Sequence, residues 1–474
     1  MYEFLPDSGG TWVCEKTERG VRIKTQVDVL DNLVLGSTPE GGFGLSERTP
    51  LSVFSQTQVP PESGKNSYVD SIRVKRVYGE VMTPVGLFRF GRMGSQWGLG
   101  VLANDGNCLD CDYGDSADRL MFVTKVANHY IVPIIDFVAS GPTSATANEA
   151  FGQPHSRDNL DDATNYTLAI ARRDTDVETS RKLTAGQNII NYGVYFVYRR
   201  QVWDAASFYK SASPYGGDVQ DAQGFVPRDA YAFVPDLWFK FQTRKLRLET
   251  ELVGVYGRIG NRAPIGELAG NPGESQELLL RQFGGVVQGD YKVLDNLSLG
   301  GEFGFASGDK AFGMGNRPGR LGPTKPGNID GYQFNCSSNP CSDNQIRNFR
   351  FNRDYRVDLI LWREILQGIT DAIYIKPNVR YEVTEGLNLH LAGIYSRAIY
   401  GESTPSSVIQ DGVAIGDPNL GIEIDAGVSY ATDDGFFASL AYGVLFPLPG
   451  LKNNATGAEA TTAQALHAIF AIRY

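Results

Sequence analysis

Apolar and polar residues alternate with a period of two along many stretches of this chain. From Leu466 to the C-terminal Tyr474 every second residue is apolar, and His467 and Arg473 lie between these positions. Because successive side chains of a β-strand point to opposite faces, this period predicts a strand with one apolar and one mixed face. The sequence therefore ends on an amphipathic strand whose last residue is aromatic.

The same alternation recurs at residues 21–29, 231–242, 246–256, 373–382, 387–396, 422–430 and 436–446. Several of the apolar faces carry an aromatic residue near one end, as the interfacial girdles of membrane barrels do. No run approaches the roughly 20 apolar residues that a membrane-spanning helix needs. The pattern predicts an all-β protein.

The connections between these strands alternate between short and long. Short turns include 83–84, 128–129, 243–245 and 295–296, and longer polar segments lie near 41–67, 94–117, 140–163, 202–228, 261–274, 309–352, 401–418 and 449–462. Outer-membrane barrels show this alternation, with short periplasmic turns and long extracellular loops. We therefore predict that residues 1–474 form a single domain, a closed antiparallel transmembrane β-barrel.

The strand count follows from a periplasmic C-terminus. Counting back through turns and loops gives about 18 strands, with about 16 as the alternative. The larger count makes Met1–Pro6 the first strand and requires that residues 358–366 form a loop excursion with a short helix. Met1–Pro6 lacks the basic start and apolar core of a signal sequence, so we expect the chain to be a processed form.

Composition agrees with a β protein that faces two solvents. The chain has 54 glycines, 23 tyrosines and 25 phenylalanines, and only 21% of its residues are charged. Its net charge of -10 argues against nucleic acid as a partner, because binding to a duplex requires a basic face. The expected partners are outer-membrane lipid and a protein or lipoprotein.

The five cysteines include two closely spaced pairs, Cys108 with Cys111 and Cys336 with Cys341. Both pairs lie in polar stretches with no histidine beside them, which disfavours a zinc site. In an oxidising compartment we expect each pair to close a small loop disulfide. Cys14 is left without an assignment.

A barrel of about 16 to 18 strands is too wide for side chains to fill, so an aqueous channel is expected unless a plug occupies it. The predicted inward faces carry charges of both signs in nearly equal number, so no prediction about ion selectivity follows. The alternative is that these charges pair across strands and stiffen the wall. The predicted pore-lining residues are Arg22, Lys24, Asp28, Arg89, Asp236, Lys240, Arg247, Glu249, Glu251, Lys376, Arg380, Glu382, Glu423, Asp425 and Arg473.

The loop 104–118 concentrates four carboxylates, Asp110, Asp112, Asp115 and Asp118. Oxygen-rich clusters of this kind suit Ca²⁺, although the spacing is not that of an EF-hand. The alternative is a solvated acidic loop closed by the Cys108–Cys111 pair. No cofactor is required by either interpretation.

The loop 309–352 is long, rich in glycine, proline and asparagine, and basic. Its lysine and arginine residues include Arg317, Arg320, Lys325, Arg347 and Arg350. One interpretation is that it folds into the lumen and constricts it. The other is an exposed outer loop, which its composition favours.

Catalytic motifs are absent from the sequence. The four histidines are far apart, and the only pair that we considered is Ser396 with His390. Residues Gly98 to Gly100 do not form a phosphate loop, because no helix is predicted after them. We do not expect an enzyme.

Two segments resemble known proteins. Residues 78–93 resemble the hairpins of porin-like outer-membrane proteins, and together with 97–106 they are similar to a family of uncharacterised barrels from deltaproteobacteria. Alginate-export barrels are similar in general plan. The resemblance implies the outer membrane of a Gram-negative bacterium, and no substrate-binding residue can be carried over.

The function that these observations favour is an outer-membrane pore for passive diffusion or export of small polar solutes. The alternative is a structural or scaffold barrel whose loops or lumen bind a partner protein or a surface component.

Overall fold

The structure is a computed structural model that describes residues 3–6, 12–15, 20–29, 72–111, 113–139, 160, 162–204, 226–260, 277–311, 313–314, 345–411, 413–453 and 458–473. The strands are β1 (Glu3–Pro6), β2 (Trp12–Glu15), β3 (Val21–Val29), β4 (Ile72–Thr83), β5 (Gly86–Gly94), β6 (Ser116–Val126), β7 (His129–Ala139), β8 (Ala163–Arg172), β9 (Ile189–Asp204), β10 (Val226–Gln242), β11 (Leu246–Ile259), β12 (Leu278–Leu294), β13 (Leu297–Ala306), β14 (Gln345–Ile346), β15 (Ala372–Thr384), β16 (Leu387–Ala398), β17 (Val408–Gln410), β18 (Val413–Ile415), β19 (Asn419–Ala431), β20 (Phe436–Pro447) and β21 (Ala463–Ile472).

Within these described ranges, sixteen strands form one antiparallel sheet in chain order. They are β3 to β13, β15, β16 and β19 to β21. The two-residue β14 adds a short parallel pairing to β12, and β17 with β18 forms a separate hairpin. The all-β prediction is confirmed, and the strand number equals the smaller of the two predicted counts.

The first predicted strand is not part of this sheet. Strand β1 pairs with β2 in a separate two-stranded sheet, Glu3 opposite Glu15 and Pro6 opposite Trp12. The prediction that Met1–Pro6 begins the large sheet is therefore wrong, because this segment finds its partner only a few residues further along the chain. The large sheet begins at Val21.

Strands β3 and β21 are the two edges of the sheet. The strand order is that of a barrel, but register pairs run only from β3 through to β21 among the described residues. The outward side chains of these two strands are also the most exposed, at 77% for Ile23 and 76% for Phe470, against 45% for Ile424 within the sheet. The closure of the barrel therefore stays a prediction.

The short turns have the local chemistry that the sequence indicated. Strands β6 and β7 are joined by Ala127 and Asn128, which both adopt positive φ, at 48° and 64°. Two such residues match the backbone twist of a tight hairpin. Strands β12 and β13 are joined directly by Asp295 and Asn296.

One connection on the short-turn side holds helix α1 (Asp176–Thr184). Thr175 and Glu178 form a capping box, in which each side chain accepts a hydrogen bond from the other's backbone N–H. At the other end of α1, Arg244 Nε donates to Leu183 O at 2.8 Å. These contacts hold α1 against the neighbouring β10–β11 turn. Across the described ranges, no helix has the length and apolar character needed to traverse a bilayer.

The two faces of the sheet differ. Outward side chains are large, apolar and exposed along most strands, as Leu237 and Phe239 of β10 and Leu389 and Leu391 of β16 illustrate. Charged residues such as Asp236 and Glu423 lie on the opposite face and are buried. The alternation in the sequence predicted these faces correctly.

Two loop segments fold onto the inner face of the sheet. We call residues 95–115, between β5 and β6, the first insert, and residues 347–371, before β15, the second insert. Their apolar side chains join one buried cluster with wall residues of β11 to β20. The cluster includes Val101 of the first insert, Phe349, Phe351, Leu361 and Trp362 of the second, and Val253, Val286, Tyr374, Ile394, Leu420 and Leu445 of the wall.

The second insert includes the last residues of the predicted loop 309–352. Phe349 and Phe351 are buried against the inner face of the sheet, and whether the loop constricts a lumen stays a prediction. Residues 315–344 lie outside the described ranges. The predicted excursion at 358–366 contains a π-helical turn, Leu361–Ile365.

The difference between the two faces yields a stability prediction. Replacing the outward Ile424, in the middle of β19, by arginine should destabilise the protein by about 2–4 kcal/mol in a bilayer, because the charge must enter hydrocarbon. Urea titration of protein folded into liposomes measures this loss.

The inward Ser429 of the same strand is the matched control. Ser429→Arg should lose less than half as much stability as Ile424→Arg. Equal losses for the two variants would contradict a lipid-facing outer surface.

Candidate pore interior

The first insert is anchored by one carboxylate of the wall. Glu251 of β11 is fully buried and accepts hydrogen bonds from four consecutive backbone N–H groups, those of residues 99–102. Gly98 and Gly100 adopt positive φ, at 51° and 85°, which turns these amides toward one point. A side chain at Gly98 would overlap Glu251 itself. The segment from Gly98 to Leu102 is therefore an amide cradle built around Glu251.

The second insert is anchored in a similar way. Glu423 of β19 accepts from the backbone N–H groups of residues 359–361, at 2.8 to 3.0 Å. Asp358 accepts from the next two, Trp362 and Arg363. Five consecutive amides thus point at two buried carboxyls. Burial, and then the neighbouring Glu423, raises the pKa of Asp358 to about 7.

Further contacts tie the second insert to the wall. Lys376 Nζ of β15 donates to Val357 O at 2.6 Å. Trp362 Nε1 donates to Ser396 Oγ at 2.9 Å, and Tyr355 Oη donates to Glu302 at 3.0 Å. The insert is therefore held along its length, both by its backbone and by its side chains.

The two inserts also bind each other. Arg363 contacts Asp110 through both terminal nitrogens, with Nη2 at 2.7 Å from Oδ1. Asn352 Nδ2 donates to Asp115 Oδ2 at 2.6 Å, and the Tyr113 N–H donates to Asp354 at 3.0 Å. The first and second inserts consequently form one internal body.

The acidic loop does not converge on a common point within the described ranges. Asp110 pairs with Arg363, Asp115 accepts from Asn352, and Asp118 forms a two-bond pair with Arg92 at 2.8 Å. No group of three metal-type side chains is found among the described residues. Asp112 lies outside them, so the calcium site stays a prediction.

One of the two predicted disulfides is present. Cys108 and Cys111 are bonded, with their Cα atoms 5.2 Å apart, at the tip of the first insert. Cys336 and Cys341 lie outside the described residues, and only the backbone of Cys14 is described. The bond closes a short loop within a segment that already packs on the second insert.

The sheet and the inserts leave two large cavities on the side of β3 to β12. The long-loop cavity lies near the strand ends that the long loops connect, and its volume is about 860 Å³. The short-turn cavity lies near the strand ends that the short turns connect, and its volume is about 500 Å³. Arg119 and Tyr195 line both cavities. We therefore take the surroundings of these two residues as the candidate constriction.

The constriction is built from the first insert and the wall. Trp97 stacks on Tyr195, with ring centroids 5.2 Å apart, and its Nε1 donates to Asp236 at 3.2 Å. Arg119 Nη2 donates to Ser95 Oγ at 3.0 Å. A Cβ atom at Gly193 would lie 2.7 Å from the Trp97 ring, so glycine is needed for this approach.

A row of polar wall residues crosses the constriction. Arg119 forms a two-bond ion pair with Asp136 on the next strand, at 2.6 and 2.9 Å. Asp136 is opposite Asn165 on β8, and Asn165 is opposite Arg199 on β9. In the long-loop cavity, Lys75 pairs with Asp28 at 3.2 Å. The walls of this cavity are thus polar and mostly charge-paired.

The predicted pore-lining residues fall into three groups. The buried members, which hold inserts or neighbouring side chains, are Arg89, Asp236, Glu249, Glu251 and Glu423. Those in ion pairs or hydrogen bonds at the wall are Lys24, Asp28, Arg247 and Lys376. Half-buried or exposed inward positions are Arg22, Lys240, Arg380, Glu382, Asp425 and Arg473.

Three residues at the constriction, Trp97, Arg119 and Tyr195, were not among the predicted pore residues. Arg119 and Tyr195 belong to strands that are apolar on both faces, so a period of two is weak there. The signal that could have found Arg119 is its opposite charge to Asp136, the residue it pairs with on the following strand.

The candidate catalytic pair is not assembled. Ser396 and His390 lie on the same strand, β16, about 20 Å apart at the usual rise per residue. Ser396 is buried and accepts a hydrogen bond from Trp362. The hydroxyl therefore serves to hold the second insert.

Asp371 lies where the second insert joins β15. It is fully buried, adopts a positive φ of 49°, and accepts hydrogen bonds from Ser403 Oγ and, at 3.3 Å, from the Tyr400 N–H. Burial raises the pKa of this carboxyl to about 8.

Comparisons with known proteins give distant likenesses. A scan against protein-family models finds no match. A search of curated proteins likewise finds no match.

Three solved structures show a distant likeness to this chain. OccAB1 of Acinetobacter baumannii is 11% identical, with a TM-score of 0.41 over 87% of this chain and 79% of that chain. OmpT of Vibrio cholerae is 9% identical, with a TM-score of 0.33 over 74% and 78%. The FrpB iron transporter of Neisseria meningitidis is 10% identical, with a TM-score of 0.35 over 86% and 58%. These likenesses are too distant to assign a family or a function.

The first amide cradle yields a prediction. Glu251→Gln keeps the shape of the side chain but removes the charge that holds the amides of residues 99–102, and each weakened charged hydrogen bond costs about 1.5–3 kcal/mol. We expect the first insert to detach more often, so limited proteolysis should cut within 95–115 faster than in the unaltered protein.

Glu382→Gln is the control, because Glu382 faces inward on β15 at a distance from either cradle. Proteolysis of this variant should match the unaltered protein. Equal cutting of all three proteins would contradict an anchoring role for Glu251.

The pKa of Asp371 predicts a pH dependence of stability. The folded value of about 8 exceeds the ordinary value of 3.8, so the folded protein binds more protons between these pH values. Stability is therefore greatest below the ordinary value and falls, by the order of a few kcal/mol, as pH rises toward the folded value. Thermal unfolding followed by circular dichroism in detergent at several pH values measures the slope.

Asp371→Asn removes the titrating group and retains one accepting oxygen. Its unfolding midpoint should vary less with pH than that of the unaltered protein, and it should exceed the unaltered midpoint at alkaline pH. Parallel pH profiles would show that Asp371 does not control this dependence.

Proposed function

We propose that this chain is a pore in the outer membrane of a Gram-negative bacterium, through which small polar solutes pass by diffusion or export. The exposed apolar outer face supports a lipid environment, since large apolar side chains such as Leu237 and Leu391 lie on it and buried charged residues such as Asp236 and Glu423 lie on the opposite face. In a bilayer every backbone polar group must be satisfied, which an open sheet cannot achieve.

Closure of the barrel is part of this proposal. Strands β3 and β21 are the two edges, and each keeps its apolar side chains on the outer face. Pairing them removes both free edges and gives an even number of strands. Both strands then have their free chain ends on the short-turn side, which we place in the periplasm together with the C-terminus.

The observation that carries the pore is the placement of the two cavities. The long-loop and short-turn cavities lie on opposite sides of the contact between Trp97 and Tyr195, and both are lined by Arg119. Solute moving from one side of the membrane to the other therefore meets a constriction of one stacked aromatic pair and one ion-paired arginine. The inserts narrow the lumen, and the side of β3 to β12, where the two cavities lie, is the proposed path.

A scaffold barrel is the second candidate, and one observation favours it. The second insert packs into a continuous apolar cluster with β11 to β20, so that part of the interior is filled. A protein partner held by the long loops is the function that such a filled barrel would have. Planar-bilayer recording distinguishes the two, because a scaffold barrel gives no channel events.

The constriction can be tested with one variant. Tyr195→Ala removes a ring from the boundary of both cavities, so we expect a larger single-channel conductance in planar bilayers. A change of this kind requires that solute passes at Tyr195.

Phe196→Ala is the matched control, since Phe196 is the next residue of β9 and faces outward. It should leave the conductance as it is in the unaltered protein. A conductance that is unchanged by Tyr195→Ala would remove the proposed path, and the absence of any channel would favour the scaffold.

A further inference from the structure

The inner wall is unusually apolar around the short-turn cavity. Inward side chains there include Met93 of β5, Met121 of β6, Ile134 of β7 and Ala169 of β8, and they form one cluster. The outer face of the same strands is also apolar, with Leu120, Ile135 and Leu168 exposed. Pore interiors are ordinarily polar, so an apolar patch on the inner wall is suited to contact with an apolar group.

The cavity next to this patch has the size of a small-molecule site. Its volume of about 500 Å³ lies within the range of organic ligand pockets, which are mostly apolar with a few polar groups. Trp97 and Tyr195 bound it on the side of the constriction, Trp238 lines the β10 wall, and the first turn of α1 lies at the other end. Aromatic faces and methionines are suited to contact with an apolar ligand body.

The polar groups of the cavity are mostly satisfied by the protein itself. Glu249 accepts from Trp238 Nε1 at 2.8 Å and pairs with Arg247 at 2.6 Å. Asp174 pairs with Lys182 of α1. Arg119 pairs with Asp136, and Arg89 pairs with Glu80.

Lys240 is different. It lies half-buried on the inner face of β10 and forms no hydrogen bond or salt bridge with any residue that the structure describes. The groups that face it are Glu249, Arg247, Arg173 and Asp176, and Arg173 stacks on Trp238 with its guanidinium carbon 5.6 Å from the ring centroid. With Glu249 already paired, the ammonium of Lys240 is available to an anion.

We infer that the short-turn cavity binds an amphipathic organic acid, with its apolar body against the wall of Met121 and Ile134 and its carboxylate at Lys240. The inference rests on the proposed pore, because the ligand reaches the cavity through the lumen. It adds a preferred substrate class to a path that otherwise admits small polar solutes. Strong binding needs both the apolar wall and the ammonium group. A polar dianion cannot make apolar contacts with the wall, and a neutral apolar molecule cannot form an ion pair with Lys240.

Binding of three probes tests the inference independently of conduction. The protein in lipid nanodiscs is titrated with 4-phenylbutyrate, 4-phenyl-1-butanol and succinate, and tryptophan fluorescence is followed because Trp97 and Trp238 line the cavity. Empty nanodiscs correct for partition into lipid. We expect a saturable change with 4-phenylbutyrate and a much weaker response to the other two probes.

Two variants locate the site. Lys240→Gln should weaken 4-phenylbutyrate binding by about tenfold, the loss of one charge-assisted contact, and Met121→Gln should weaken it by making the wall polar. Lys292→Gln is the control, since Lys292 faces inward at the short-turn end of β12 and does not line the cavity. Its affinity should equal that of the unaltered protein.

The outcomes separate this inference from the proposed pore. No saturable response to 4-phenylbutyrate, equal affinity for succinate, or an unchanged affinity in Lys240→Gln would overturn the site even where channels are recorded. Saturable binding that Lys240→Gln weakens, in a protein that never conducts, would support the site and overturn the pore.

Discussion

The structure depends on the need to satisfy backbone amides of the loops that are buried against the inner face of the sheet. A loop drawn into such an interior loses water from its N–H groups, and each buried, unsatisfied amide costs about 1–3 kcal/mol. Glu251 accepts four of these groups from the first insert, and Glu423 with Asp358 accepts five from the second. The two wall carboxylates therefore make it possible for the inserts to lie inside.

This anchoring divides the interior into two unequal parts. Near β11 to β20 the second insert completes an apolar core, so the wall and the insert there behave as a packed protein interior. Near β3 to β10 the first insert contacts the wall through Trp97, Ser95 and the bonds from Arg76 to Asp105 and Asn107, and the long-loop and short-turn cavities remain. The interior near β11 to β20 is therefore packed with side chains, and the interior near β3 to β10 contains the two cavities.

The sequence predicted the strands well because their signal is local. The alternation of apolar and polar residues along β10, β15, β19 and β21 depends only on which face of the strand is the outer one. It can therefore be read from residues that are adjacent in the sequence. The count of about 18 strands exceeds the sixteen of the sheet. One of the excess strands is Glu3–Pro6, which pairs with Trp12–Glu15, a choice of partner that alternation does not specify. Strands such as β7 and β9 were harder to assign, because apolar contacts on both faces remove the period of two.

The candidate site was less predictable because it is formed by contacts distant in sequence. Glu251 and Gly98 are brought together only by the folded sheet, and nothing near Glu251 indicates that its partners are backbone amides. No phosphate loop was predicted at Gly98 and Gly100. Their positive φ values nevertheless create an anion site, and the anion is a side chain of the same protein.

The first insert connects these features physically. Its cradle on Glu251 fixes Gly98, which positions Trp97 one residue earlier against Tyr195 and Asp236. The same ring separates the polar long-loop cavity from the more apolar short-turn cavity. A single wall carboxylate thus sets both the width of the constriction and the boundary between two chemically different compartments. Movement of the first insert therefore breaks the hydrogen bonds to Glu251 together with those from Arg76 and Arg119 of the wall.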